Sequence, residues 1–269
     1  MKKVIGRKQT SKNSEWLHAL ANIESIVTED EVDAAIDKAV NDVLHVTSGK
    51  KVAYGWSGGK DATALRHVCE LAGIKASFFG RSELDFPAFA QWCKENMPEN
   101  CEIIDTLRTY YFLAAHPEAL FPNHKDREPG DLMLRTGPQY TFQKWFDLHP
   151  ETDFILVGHR TIDGNVTGKN KFLANKKGMV RYSPIADWTH ELVLGLVYYK
   201  GYEFAPNYWY PNGFVNGTHC WNDTVGIETI PEGWEYVWNI DKSIVEKAMQ
   251  YNIQGAKEHI ERWLKSRIE

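Results

Sequence analysis

From Glu29 onward the apolar positions Val32, Ala35, Ile36, Ala39, Val40, Val43 and Leu44 recur at three- and four-residue intervals. That is the period of an amphipathic helix. Short β-prone runs follow at 51–56, 75–80, 101–105 and 153–158, and helical patterns fill the intervals at 61–73, 86–97 and 138–149. Strands alternating with helices predict an α/β fold: an open, mostly parallel sheet with helices on both faces and right-handed crossovers. Ligands of such sheets sit at the carboxyl ends of the strands. The loops 57–61, 81–85 and 158–164 are therefore expected to converge on one site. Residues 1–28 are polar and read as partly helical at best, whereas 116–137, rich in Pro, His and charge, reads as a long surface loop or insertion. The run 160–180 carries Lys169, Lys171, Lys176 and Lys177, with Arg181 next to it, and reads as a solvated mobile loop or as a cover over a bound ligand. From about 234 the pattern is helical to the end, with Gly255 a weak point between two stretches.

A chain of 269 residues accommodates one sizeable α/β domain, alone or with an appendage. The formal net charge of −5 gives no whole-protein attraction to nucleic acid, although a local basic patch is left open. No run approaches the roughly 18 apolar residues of a membrane span. The N-terminus, Met1 to Lys8, is basic but lacks the apolar core of a signal peptide, so a cytoplasmic location is expected. The four cysteines, Cys69, Cys93, Cys101 and Cys220, form no Cys-x-x-Cys pair, and no iron–sulfur cluster is expected. The first three read as small buried hydrophobes.

The chemistry is concentrated in the stretch Lys51 to Asp61. A β-prone run ends in Ser57-Gly58-Gly59-Lys60-Asp61, and the helical pattern Ala62, Ala64, Leu65, Val68 follows. Adjacent glycines let backbone N–H groups approach a phosphate, and a helix N-terminus favours an anion. Ser57 adds a hydroxyl, Lys60 a positive charge, and Asp61 a carboxylate placed to cap the helix or bind Mg²⁺. The order is neither a Walker loop nor Gly-x-Gly-x-x-Gly. A second segment, Ile155-Leu156-Val157-Gly158-His159-Arg160, ends an apolar strand in Gly followed by a guanidinium able to grip phosphate or sulfate. His159 is a weaker candidate there. A third, Pro184-Ile185-Ala186-Asp187-Trp188-Thr189, precedes a helix running through Leu192, Leu196 and Val197, with Asp187 or Thr189 as cap.

Together these pieces resemble the phosphoadenylyl-sulfate (PAPS) reductase-like family of the PP-loop adenine-nucleotide α-hydrolase superfamily. The resemblance rests on Ser57–Asp61, Gly158-His159-Arg160, Pro184–Trp188 and Tyr210-Pro211-Asn212-Gly213-Phe214, in that order, and covers roughly residues 30–220. It implies a PP-loop nucleotide-binding domain of HUP-like fold, expected over 51–215, and the helical patterns on either side predict an N-terminal helical segment over 1–50 and a C-terminal helical extension over 216–269. It implies that Ser57, Gly58, Gly59, Lys60 and Asp61 hold the phosphates of an adenine nucleotide, with Gly158 and Arg160 reaching its anionic end. Lys60, Asp61 and Arg160 are then the catalytic candidates, and Asp61 is the candidate Mg²⁺ ligand.

Three departures shape the functional reading. Ala62 stands where the family has Ser, the turn Arg81-Ser82-Glu83-Leu84-Asp85 differs from the family's acidic turn, and no Cys follows Cys220. Glu83 and Asp85 read as solvated turn acids or as groups for Mg²⁺ or ribose. A sulfonucleotide reductase needs a thiolate to attack sulfur, and the family carries that Cys in its tail. ATP with Mg²⁺ is therefore favoured over PAPS, with transfer of an adenylyl group to an unidentified acceptor and release of pyrophosphate. Two alternatives stand beside it: a reductase using Cys220 or a partner's thiol, and a non-catalytic nucleotide-binding subunit of a nucleic-acid-modification complex. The aromatic residues from Tyr198 to Phe214 read mostly as packing, one or two of them open to stacking on a base. Oligomeric state is left open.

Overall fold

The computed structural model describes residues 2–6, 10–122, 127–176 and 178–267. The chain begins with α1 (Asn13–Ala21), α2 (Ile23–Ile26) and α3 (Glu29–Thr47). Thr28 caps α3 reciprocally: its hydroxyl accepts the Glu31 N–H at 3.2 Å, and Glu31 accepts the Thr28 N–H at 3.0 Å. Then come β1 (Val52–Trp56), α4 (Lys60–Leu71), β2 (Ser77–Arg81), α5 (Pro87–Asn96) and β3 (Glu102–Asp105). Next are α6 (Tyr110–Ala115), α7 (Arg127–Thr136), α8 (Pro138–Leu148) and β4 (Phe154–Leu156). A hairpin of β5 (Phe172–Ala174) and β6 (Val180–Tyr182) leads into α9 (His190–Tyr199) and α10 (Gly213–Asn216). The chain finishes through α11 (Ile230–Ile240), α12 (Lys242–Gln250) and α13 (Ala256–Lys265).

The fold class is the one expected: a six-stranded α/β sheet of order β3-β2-β1-β4-β6-β5. β1 pairs in parallel with β2 (Trp56 opposite Phe79) and with β4 (Tyr54 opposite Leu156), and β4 with β6. The short β5–β6 hairpin is antiparallel, with Phe172 opposite Tyr182. From β1 the chain steps one way to β2 and β3, then returns to the other side of β1 as β4. The gap beyond the carboxyl ends of β1 and β4 is thus the point where the winding reverses, the place where open α/β sheets bind ligands.

The chain packs as two compact units: Met1–Phe79, Trp92–Ile104 and Gln143–Thr218 form the first, and Gly80–Gln91, Asp105–Phe142 and His219–Glu269 the second. In the first, α3, α4 and α9 pack together through Val32, Ile36, Val43, Leu65, Val68, Val193 and Leu196, all buried. The N-terminal segment is more ordered than its polarity predicts. Ile5, Trp16, Ala19 and Ile23 are buried, and the backbone N–H groups of Val4 and Ile5 both donate to the buried Glu191 carboxylate at 2.8 Å. In the second, Trp221 lies 5.5 Å from Trp234, and Phe121 meets Trp234 edge-on at 5.3 Å. Gly255 does divide two helices, at φ 80°, opening α13.

Two expectations are corrected. The stretch 116–137 is not one long loop: a 3-10 turn covers Pro117–Ala119 and α7 covers Arg127–Thr136 with Met133 buried, while residues 123–126 lie outside the described residues. Pro129 fits α7 because first-turn residues need no intrahelical N–H partner. The stretch 160–180 contains β5, whose three residues are too few to show a period in sequence.

Candidate functional site

β1 ends at Trp56, and three residues turn the chain into α4. Gly58 takes φ 67°, a left-handed conformation that a residue with a side chain resists. Gly59 is the N-cap of α4 and brings no side chain to satisfy the first-turn N–H groups. One of them is taken: the Lys60 N–H donates to the Tyr208 hydroxyl at 2.8 Å. Ser57 is exposed, and its carbonyl accepts the Thr218 hydroxyl at 3.3 Å. The sequence thus puts an electropositive helix end at the carboxyl edge of β1.

The loop after β4 comes to the same place. A Cβ on Gly158 would stand 2.8 Å from the Asp61 carbonyl oxygen, so the lack of a side chain there is what lets this loop touch the first turn of α4. That contact aligns Asp61 with Arg160. The Asp61 carboxylate lies between two cations, its Oδ2 2.8 Å from Lys60 Nζ and its Oδ1 2.8 Å from Arg160 Nε. Arg160 continues inward, with Nη2 2.9 Å from Asp163 Oδ2 and 3.0 Å from His190 Nδ1, and Nη1 donating to the Trp188 carbonyl at 3.3 Å.

Arg160 is 0 % and Lys60 3 % exposed. Two carboxylates, the partly exposed Asp61 and Asp163, balance these two buried cations. Such pairing offsets a desolvation cost of several kcal/mol per ion that no single charge would survive. Trp16 closes the roof: the Lys60 ammonium lies 5.0 Å from its ring centre, His190 meets it edge-on at 4.4 Å, and Phe214 stacks on it at 5.9 Å.

The sequence reading is sharpened by this geometry. It brings Ser57, Gly58, Gly59, Lys60, Asp61, Gly158 and Arg160 together, but turns the Arg160 fork inward rather than toward a ligand. Asp61 does not fit as a Mg²⁺ ligand as arranged, because each carboxylate oxygen already faces a cation. Among the described residues no group of three or more His, Cys, Asp or Glu is placed to hold a metal ion. His159 is half-buried; burial and the nearby Arg181 charge hold its imidazole down at about 4, so it is neutral at pH 7. Thr189 caps α9 by accepting the Leu192 N–H at 3.2 Å, while Asp187 pairs with Lys171 at 3.1 Å. Trp16 and His190 were missed, and Asp163 and Tyr208 entered only as parts of the loop 158–164 and of the aromatic run Tyr198 to Phe214. Their types carry no motif, and only the fold gathers them.

The turn 81–85 belongs to the second unit. Asp85 accepts the Ser82 N–H at 3.0 Å, and burial raises its carboxyl to about 6. Glu83 is exposed and accepts the Tyr110 N–H at 3.4 Å. Cys220 donates to Asp85 Oδ1 at 3.5 Å and accepts from Arg108 Nη1 at 3.6 Å. Burial, with the Asp85 charge, pushes its thiol up to about 12, so it stays protonated at neutral pH.

No protein-family model matches the chain, and no curated protein matches its sequence. Among solved structures it is similar to a PAPS reductase from Candida auris, in a phosphate complex, at TM-score 0.46 and 12% identity over 66% of this chain and 90% of that one. It is similar to the U34-tRNA thiolase NcsA from Methanococcus maripaludis, a structure with a 4Fe-4S cluster, at TM-score 0.38 and 15% identity over 99% and 87%. It is similar to an NAD+ synthetase from Burkholderia pseudomallei at TM-score 0.37 and 13% identity over 83% and 97%.

Proposed function

We propose that this chain is a PP-loop enzyme that binds ATP at Ser57–Asp61 and transfers its adenylyl group to an acceptor. The observation that carries the reading is the left-handed turn at Gly58 opening onto the α4 N-terminus where the sheet reverses its winding. First-turn N–H groups and the helix dipole suit a polyphosphate. In the reaction the acceptor's nucleophilic atom forms a bond to the α-phosphorus. The bond from that phosphorus to the bridging oxygen breaks, and pyrophosphate leaves with the electron pair. Dipoles fixed before the reaction stabilise the charge that grows on the leaving group. Lys60 and Asp61 hold the first turn of α4 in place for this, and Arg160 holds Asp61.

The protonated, buried thiol of Cys220 supports adenylation over sulfonucleotide reduction. The test is incubation with ATP, Mg²⁺ and candidate acceptors, followed by nucleotide analysis. AMP and pyrophosphate are the expected products. ADP, or sulfite released from PAPS with thioredoxin, overturns the reading. Lys60→Ala should weaken ATP binding more than tenfold, about 1.4 kcal/mol or more by calorimetry.

A further inference from the structure

We propose that His190 is a positioning residue of this site, acting as a neutral hydrogen-bond acceptor that fixes Arg160 and, through it, the first turn of α4. The inference rests on the functional reading above for what is being positioned, but its chemistry stands on geometry alone.

His190 is the first residue of α9 and is 0 % exposed. Its Nδ1 lies 3.0 Å from Arg160 Nη2. A guanidinium only donates hydrogen bonds, so Nδ1 must accept, and the ring proton sits on Nε2. The contact therefore selects one tautomer of an uncharged ring. The Arg160 guanidinium, the Asp163 carboxylate at 3.8 Å and the Trp16 indole at 4.4 Å all face this ring. A second proton would set an N–H against the guanidinium and add a third cation to a cluster balanced at two and two.

The consequence runs outward one bond at a time. With its Nη atoms held by His190, Asp163 and the Trp188 carbonyl, Arg160 has Nε left to aim at Asp61 at 2.8 Å. Asp61 in turn holds the Lys60 ammonium and belongs to the first turn of α4. Loss of the acceptor leaves a buried guanidinium N–H without its partner, which moves the fork and disturbs that turn. His190 does this without touching a nucleotide.

The experiment separates acceptor from shape. Asn presents an oxygen near the position of Nδ1, whereas Phe keeps the ring but offers no acceptor. His190→Asn is expected to bind ATP within about threefold of the parent, and His190→Phe to lose more than tenfold, by calorimetry. On the parent, nitrogen-15 spectra of the imidazole are expected to show the Nε2–H tautomer at pH 7. An imidazolium, the Nδ1–H tautomer, or equal losses in the Asn and Phe variants overturns the proposal. If the parent binds no ATP, the functional reading fails on its own. The positioning role is then decided by the tautomer and by amide exchange over 60–63, which should quicken in His190→Phe and not in His190→Asn. Exchange unchanged in His190→Phe overturns it. Should His190→Phe not fold, the parent's tautomer and the Asn variant decide.

Discussion

In the first unit Asp61 faces both Lys60 and Arg160 at 2.8 Å, and Asp163 faces Arg160 at 2.9 Å, two carboxylates against two cations. Asp85 in the second unit takes a backbone N–H and a thiol, and the Arg108 guanidinium shares itself between Cys220 and the Met133 carbonyl. Each cluster holds a carboxylate and a guanidinium, Arg160 fully buried and Arg108 half-buried. In the second, desolvation wins: Asp85 rises to about 6 and Cys220 to about 12. Charge balance, rather than burial alone, distinguishes a site built to hold ions from one that drives its groups neutral. The first is the cluster proposed above to flank a bound polyphosphate; the second is a poor place for a thiolate.

Loss of Arg160 should erase the difference between the two clusters most completely. Arg160→Met keeps much of the volume but removes the guanidinium that pairs with both Asp61 and Asp163. Breaking a buried pair from one side costs about 3–5 kcal/mol. Urea unfolding monitored by circular dichroism should show that loss. A change below about 1 kcal/mol, the range of exposed ion pairs, would mean that the cluster is wet.

Tyr208→Phe is the next test. The hydroxyl is buried and accepts the Lys60 N–H at 2.8 Å, and burial pushes its own ionisation well above the ordinary tyrosine range. Removing it strands a helix N–H, at about 1–3 kcal/mol. The same urea experiment reads the cost, and amide exchange at Lys60 should quicken specifically. A stabilised variant would show that water takes the tyrosine's place.

What the sequence could reveal follows from distance along the chain. β1, the turn at Ser57–Asp61 and α4 are local, and each carries its own signal: a β-prone run, paired glycines, a helical period. The Gly158–Arg160 segment was legible for a similar reason. Its inward direction was not, because Asp163, Trp188 and His190 become its partners only when β4, β6 and α9 are in place. Trp16 illustrates the limit. It sits in a polar segment with no clear apolar stripe, yet it is 0 % exposed and covers Lys60, which lies 44 positions further along the chain. The β5–β6 hairpin escaped because three-residue strands are specified by their neighbours in the sheet rather than by their own pattern.

The smallest effect expected is in pH dependence, where the two units act with opposite signs. Asp85 has a folded value near 6, above the ordinary 3.8. Between these values the folded chain holds more protons than the unfolded one, so stability falls as pH rises through that window. His159 has a folded value near 4, below the ordinary 6.5. There the unfolded chain holds more protons, so stability rises with pH from about 4 to 6.5. The two slopes oppose each other over most of one window and flatten the parent's profile. Asp85→Asn should expose the His159 slope, making the protein gain stability from pH 4.5 to 6.5 relative to the parent. His159→Gln should expose the Asp85 slope, making it lose stability over pH 4.5 to 6. Neither side chain is fully sealed from solvent, so both changes should be smaller than that at Arg160. Urea midpoints at four pH values on the three proteins test the signs. Parallel profiles would mean that water reaches both groups and that neither unit tunes its titration.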